Sequence, residues 1–193
     1  THDEDEFAAD EISHLKSNFM RLSDTAALWA YTCESYYNAK SDNELESRAM
    51  LWLIKIGQHL MRRGFKGKQF AMRGAIAFGD CVHDKNGGAI IGAPWAYSSG
   101  LEKTQQWSGL AIHSTAEQLI DENLKSSWLI ANVNIPLKDE NGKTIQKQGW
   151  VVDWRSTDIT ELDIQQTFSK LGEASDKDRE KLQNTLNFYN LKQ

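Results

Sequence analysis

The feature that most limits the possible folds is a long amphipathic segment that begins after Ser41. Ser41 and Glu44 have the spacing of a helix capping box. Apolar residues then recur at helical intervals as far as Gly64, namely Leu45, Met50, Leu53, Ile54, Gly57, Leu60 and Met61. The pattern predicts one long helix whose apolar face covers a sheet and buries Leu53, Ile54 and Leu60.

Segments with strand periodicity lie on both sides of this helix. Upstream, Phe19–Leu22 and Ala26–Tyr31 are β-compatible and flank a Ser-Asp pair, which predicts a hairpin with Asp24 at its bend. Downstream, alternation from Phe70 to Gly79 predicts a strand in the same sheet as the hairpin. A short helix is expected from Phe7 to about Lys16.

The rest of the chain continues to alternate between strand and helix patterns. The Asn141-Gly142 pair is a strong hairpin signal between two strands. The class is therefore α/β or α+β with one mixed sheet. The expected elements are a strand at Ala89–Ile91, a helix from Pro94 to about Glu102, a strand at "GLAIHS", a helix at "TAEQLIDENL", strands at Trp128–Leu137 and Gln148–Trp154, and a helix capped by Ser175.

Composition excludes several classes of function. With 193 residues and 40% hydrophobic side chains, the sequence fits a single domain over residues 1–193. A net charge of -5 without a basic run removes the electrostatic signature of duplex DNA or membrane binding. Cys33 and Cys81 lie far apart, so reduced thiols in a cytoplasmic protein are expected. No glycine-rich phosphate loop, paired-cysteine motif or histidine pair appears, which removes P-loop enzymes and zinc sites.

The order of the motifs resembles the class III nucleotidyl cyclase domain. The hairpin acid Asp24 and the long helix are followed by "RGAIAFGD", "IIGAPWAYSSGLE" and "GLAIHS". The resemblance covers residues 19–114, and residues 128–193 add a hairpin and a helix. It looks most like a divergent bacterial branch that includes pyrimidine cyclases of anti-phage defence. The residues that fall in register are Arg73, Gly74, Ile76, Gly79, Gly92 and Glu102.

This resemblance implies an α+β fold with a ferredoxin-like palm, and a homodimer that converts a nucleoside triphosphate to a 3′,5′-cyclic mononucleotide and pyrophosphate. Family members hold two Mg²⁺ or Mn²⁺ ions between two carboxylates, because phosphoryl transfer within a polyanion requires positive centres about 4 Å apart. Asp24 aligns with the second carboxylate, although a turn-forming role is its alternative. The family's first strand, which carries the other carboxylate, should precede the first helices, but nothing upstream of Phe7 can be that strand. Either the chain is a fragment or its metal site is incomplete.

Two departures from the family pattern affect catalysis. Ala96 stands in the place of the ribose-orienting asparagine, and Gly100 stands in the place of the transition-state arginine. Arg73 is a candidate catalytic residue, either as a phosphate anchor or as a structural anchor. The alternative function is a catalytically inactive cyclase-fold module that binds a nucleotide or a partner chain, and a purely structural domain is a third possibility.

A third departure concerns the base. Met20 and Ile91 are apolar where the family reads a purine with polar residues, so a purine would leave polar groups unpaired. Arg21 and Tyr97 are therefore the candidate base-binding residues, with CTP or UTP as the expected substrate. The alternative is that Arg21 and Tyr97 are ordinary surface or packing residues.

Overall fold

The computed structural model describes residues 15–22, 25–32, 42–67, 70–83, 90–170 and 175–191, with the backbone alone in the first two strands. The expected mixture of helices and strands is confirmed, so the class is α+β. The strands are β1 (Leu15–Leu22), β2 (Thr25–Thr32), β3 (Gly74–Ile76), β4 (Cys81–His83), β5 (Ile90–Gly92), β6 (Leu110–Ile112), β7 (Ile130–Lys138) and β8 (Thr144–Val152). The helices are α1 (Asp42–Lys66), α2 (Ala93–Thr104), α3 (Ser114–Glu117), α4 (Glu122–Lys125), α5 (Glu161–Ser169) and α6 (Asp176–Tyr189).

A four-stranded mixed sheet lies at the centre, in the order β3-β6-β8-β7. Strand β3 runs parallel to β6, whereas β8 is antiparallel to both β6 and β7. The β7–β8 hairpin turns where the Asn-Gly pair predicts it, and Gly142 has the positive φ of 76° that favours glycine. The Asp139 carboxylate accepts bonds from the backbone N–H of Asn141 and Lys143 at 2.9 and 2.8 Å, which fixes the turn.

Both faces of this sheet are covered, because neighbouring strand residues pack into different apolar clusters. Ile112 and Val152 belong to one cluster, whereas Ala111 and Val151 belong to the other. Helix α1 contributes to both clusters, through Ile54 and Met61 among others. The long helix is therefore the element that joins the two halves of the core.

Helix α1 confirms the predicted segment but buries a different stripe. Ile54 is fully buried and Leu53 is half-buried, whereas Leu60 is 41% exposed, so its predicted burial is wrong. Met61 and Phe65 follow Ile54 on the helix face that meets the sheet, and Leu60 lies about 100° to one side of Met61. The periodicity therefore predicted where the helix lies. Its tertiary contacts determine that the side of the helix with Leu60 faces water.

The first hairpin forms as predicted, with β1 and β2 antiparallel and Leu22 paired with Thr25. It forms its own two-stranded sheet, so the prediction that it shares a sheet with β3 is wrong. Its β2 strand packs against α1. Leu15 and Lys16 belong to β1 and not to a helix, because the pairing with β2 extends to Thr32, while the rest of the predicted Phe7–Lys16 helix lies outside the described residues.

Other differences from the sequence predictions are local. Strand β3 covers three residues and not Phe70–Gly79, because its hydrogen-bonded neighbour β6 is itself three residues long. The segment after β6 forms two short helices, because the Asp121 carboxylate accepts the Leu124 N–H at 2.7 Å and starts a new helix. Helix α5 was missed, although Thr160 and Asp163 form its capping box. Ser175 caps α6 as predicted.

Candidate functional site

Arg73 precedes β3 and is held by helix α2. Its Nε donates to Oε1 of Glu102, and Nη1 donates to the Gln105 carbonyl at 3.3 Å. The two charged side chains are about one-third and one-quarter exposed. Nε and Nη1 of the Arg73 guanidinium both have partners within the chain. The geometry therefore fits a structural anchor between strand and helix better than a side chain that is free to bind phosphate.

Gln105 is the buried centre of the same network, and sequence reasoning missed it. Its Nε2 donates to the Gly74 carbonyl at 2.6 Å, and its Oε1 accepts the Trp107 indole N–H at 2.9 Å. Gln105 is 0% exposed, so each of its bonds is shielded from water. The amide thereby fixes the end of α2 against the start of β3. A single glutamine three residues after Glu102 gives no sequence signal that it joins α2 to β3.

Tyr97 stacks on His113, and the structure thereby assigns its ring a neighbour that the sequence did not predict. The two ring centroids are 4.8 Å apart, with an interplanar angle of 4°. Nδ1 of His113 accepts the Thr115 backbone N–H at 3.2 Å, so the ring proton belongs on Nε2 in this arrangement. The Thr115 hydroxyl in turn accepts the Phe78 N–H at 3.3 Å. Tyr97 remains 42% exposed, so it keeps surface for a ligand.

An apolar surface lies beside Tyr97 on the β4–β5 hairpin. Val82 and Ile91 are directly opposite each other in the antiparallel register, and they are 76% and 74% exposed. Helix α2, which follows β5, has no buried residue within the described part of the chain. Helix α2 lies next to both strands of this hairpin, so the exposed side chain of Tyr97 is on an element adjacent to the apolar pair. We call Val82, Ile91 and Tyr97 the hairpin face.

The two positions that depart from the family pattern lie on the exposed side of α2. Ala96 and Gly100 are both exposed, one helical turn apart. A Cβ added at Gly100 meets no described atom within 4 Å, so a longer side chain fits there. Neither residue supplies a group that could orient ribose or neutralise charge.

Arg21 and Asp24 are placed only in part. Arg21 pairs with Ala26 in the β1–β2 register, but its side chain lies outside the described residues. Asp24 also lies outside them, so its predicted metal role stays a prediction. In the described ranges, no three His, Cys, Asp or Glu side chains converge to hold a cation. The predicted Mg²⁺ or Mn²⁺ site therefore stays a prediction, and no chemical step is derived through the metal.

Cys81 opens β4 next to the hairpin face and is exposed. Partial burial raises the pKa of its thiol above the ordinary value, and the nearby Asp80 charge raises it further. A raised pKa keeps the sulfur protonated at neutral pH, which makes it a poor nucleophile or metal ligand.

Comparison with protein-family models, with curated proteins and with solved structures gives no match for the chain. No helix in the described ranges is long and apolar enough to cross a membrane. The contacts on α2 and the hairpin face are therefore the basis for a functional assignment.

Proposed function

We propose that this chain is a nucleotidyl cyclase-like domain with a ferredoxin-like palm, which binds a nucleoside triphosphate as a homodimer. The observation that carries the proposal is the hairpin face, of which Ile91 and Tyr97 lie on the "IIGAPWAYSSGLE" segment of the cyclase resemblance. In that resemblance the active sites form between two palms. An uncovered apolar surface on this segment is what a second copy would cover.

The physical argument for a second copy is the exposure of apolar side chains to water. Val82 and Ile91 form a cross-strand apolar pair whose side chains both face solvent. Their strand pairing alone therefore removes little of their apolar surface from water. Contiguous apolar surface on a small protein marks a site of association. A two-fold dimer uses the same patch on both copies, so a self-complementary apolar patch is sufficient. The hairpin face therefore supports a homodimer.

The sheet topology offers a second support. Strand β3 is an edge strand of the central sheet as far as the described residues extend. Strand β2 packs on α1, the helix that also packs over Ile76 of β3. A strand added between β2 and β3 would merge the two sheets into one palm. The cyclase resemblance places the family's first strand, with the first metal carboxylate, at that position.

The proposed reaction is an intramolecular displacement. The ribose 3′-oxygen forms a bond to the α-phosphorus while the bond from that phosphorus to the oxygen bridging to the β-phosphate breaks. Pyrophosphate leaves with the electron pair, and the 3′-hydroxyl proton passes to solvent. In this scheme Arg73 is a positioning residue, because its Nε and Nη1 donate to Glu102 and Gln105 and so hold α2 against β3. Asp24 remains the proposed metal ligand.

Base recognition is proposed for Arg21 and Tyr97. One face of the Tyr97 ring is occupied by His113, which leaves its hydroxyl and its other face for the base. Uracil and cytosine need fewer polar partners than a purine, so CTP and UTP are the proposed ligands. Competition binding should show Tyr97→Ala losing pyrimidine preference while Tyr97→Phe retains stacking. Tightest binding of ATP or GTP, or the same preference in Arg21→Ala and Tyr97→Ala, would contradict this assignment.

A second candidate function is a catalytically inactive module that binds a nucleotide or a partner chain. Ala96 and Gly100 favour it, because an exposed helix face without polar side chains can bind but cannot orient the reacting ribose. The bound Arg73 also fits this alternative. Where the inactive module binds a nucleotide, it shares the dimer and the nucleotide site of the first candidate and differs from it only in turnover.

The experiment that tests the shared part is the oligomeric state of matched variants. Val82→Asp places a charge in the hairpin face, whereas Leu162→Asp places one on α5 at a residue that is 56% exposed. Light scattering should show a dimer for the wild type and for Leu162→Asp, and a monomer with weakened triphosphate binding for Val82→Asp. A monomeric wild type, or a dimer that Val82→Asp leaves intact, would refute the proposed assembly.

A further inference from the structure

A groove lies between the outer edge of β7 and helix α6, and it encloses about 610 Å³. Its floor is formed by Trp107, Val133 and Phe188. Asn132 and Asn134 of β7 line one side, and side chains of α6 line the other. The volume lies in the range of sites that hold small ligands or short peptide segments. None of these residues belongs to the proposed nucleotide site.

The β7 edge in this groove carries unpaired backbone groups. The Leu129 carbonyl accepts the Asp153 N–H at 2.8 Å, so odd-numbered residues of β7 point their backbone groups at β8. The N–H and C=O groups of Ile130, Asn132 and Asn134 therefore point outward. No other described strand pairs with them. An edge with outward donors and acceptors at every second residue is a template for another strand.

The chain itself pairs with the far end of this edge. Gln105 forms an isolated antiparallel bridge with Leu137, and the Gln106 N–H donates to the Pro136 carbonyl at 2.9 Å. The chain then turns away, because Asn184 of α6 donates to the Gln106 carbonyl at 2.8 Å. The far end of the β7 edge thus already pairs with an antiparallel segment, formed by Gln105 and Gln106. Asn132 and Asn134 continue the same line, both are exposed, and no described strand other than β8 pairs with them.

The lining identifies the chemistry of the occupant. Arg155 is the charged side chain of the lining, and its guanidinium is already bound to the Asp153 carboxylate and to the Leu191 carbonyl. Trp107 and Phe188 are 2% and 5% exposed, so neither presents a ring face for a sugar or a base. The remaining polar groups of the lining are neutral amides, on Asn132, Asn134, Gln146, Gln148, Asn184 and Asn187.

Neutral amides and an open strand edge match the hydrogen bonds of a peptide backbone. A phosphate would require an uncommitted cation, and a stacked ligand would require an exposed ring. We propose that this groove binds an extended, uncharged segment of a partner polypeptide, which adds to β7 as an antiparallel strand. Backbone bonds to Asn132 and Asn134 provide affinity, and side-chain amides on α6 contact alternate residues of the segment. The proposal does not depend on the nucleotide function.

The test uses peptides from a displayed library of short random sequences, selected on the full chain. Asn132→Pro removes an outward N–H, and it leaves the β7–β8 ladder intact because that group faces away from β8. Asn132→Ser keeps the N–H and is the matched control. Selected peptides should be rich in uncharged, β-compatible residues, and their affinity should fall about tenfold or more in Asn132→Pro but little in Asn132→Ser.

Hydrogen exchange of the wild type gives a readout that does not depend on variant folding. Without peptide, the amides of Asn132 and Asn134 should exchange quickly while those of Val133 and Ile135 are protected. Bound peptide should protect Asn132 and Asn134. Failure to select any binder, equal affinity in Asn132→Pro, or no added protection would overturn the proposal. Self-association of the chain that Asn132→Pro abolishes would also overturn it, by assigning the groove to a second copy.

Discussion

Replacing Ile54 by alanine tests whether helix α1 joins the core as described. Ile54 is 0% exposed and packs in the cluster that contains Ile76 and Leu110. The substitution removes three carbon groups, each worth about 0.8 kcal/mol when buried, which gives a transfer loss of about 2.4 kcal/mol. The remaining cavity adds to this loss, so the free energy of unfolding should fall by about 3 to 4 kcal/mol.

Leu60→Ala is the matched control, because it removes the same number of carbon groups from the same helix. Leu60 is 41% exposed, so the transfer loss should be at most about 1.4 kcal/mol and no closed cavity forms. Urea denaturation followed by circular dichroism measures both values, provided that the dependence on urea concentration is unchanged. Equal losses in the two variants, or a loss below about 1 kcal/mol for Ile54→Ala, would refute the described packing of α1.

The remaining predictions concern charged groups. Asp24→Asn should remove most turnover while leaving the melting temperature almost unchanged, and undiminished turnover would exclude Asp24 as a metal ligand. A double-mutant cycle on Arg73→Ala and Glu102→Gln should give a coupling energy of about 0.5 to 1 kcal/mol in unfolding, since both side chains are partly exposed; independent effects would argue against their ion pair. Hydrogen bonds from Lys66 and Ser156 lower the pKa of Asp158, so its stabilisation is present above the unfolded pKa of about 4 and is lost as pH falls through the folded pKa. Asp158→Asn should therefore lower the free energy of unfolding at neutral pH but not in acid, as measured by urea denaturation at each pH. A difference between variant and wild type that does not change with pH would contradict this.

Local signals in the sequence were sufficient for much of the fold. The capping residue of α6 and the Asn141-Gly142 turn each act within a few residues, so they could be recognised without tertiary information. Helix α5 shows that such a signal can also be overlooked, since Thr160 and Asp163 have the capping-box spacing. Element types were therefore predictable where hydrogen bonds are local.

Contacts between distant residues were not predictable from the sequence. The separation of the first hairpin from β3 depends on strand pairing, which periodicity does not specify. Gln105 gained its role because Gly74 and Trp107 approach it in the folded chain. The sequence singled out Arg73 as a possible phosphate or structural anchor, but only the structure supplies Glu102 as its partner, twenty-nine positions along the chain. Sequence motifs thus indicated where to look for a candidate site, whereas the hydrogen bonds of Arg73 and Gln105 could be found only in the structure.

Turnover tests the proposed cyclase function most directly. The purified chain and its Ala96→Asn/Gly100→Arg variant would each be incubated with Mn²⁺ and one of the four nucleoside triphosphates, and the products would be identified by mass spectrometry. Gly100 has open space for a longer side chain, so the variant should fold like the wild type. The proposal predicts a 3′,5′-cyclic mononucleotide and pyrophosphate, from CTP or UTP first, with a faster rate in the variant. Absence of cyclic product from both proteins would contradict the cyclase function and leave the inactive binding module in its place.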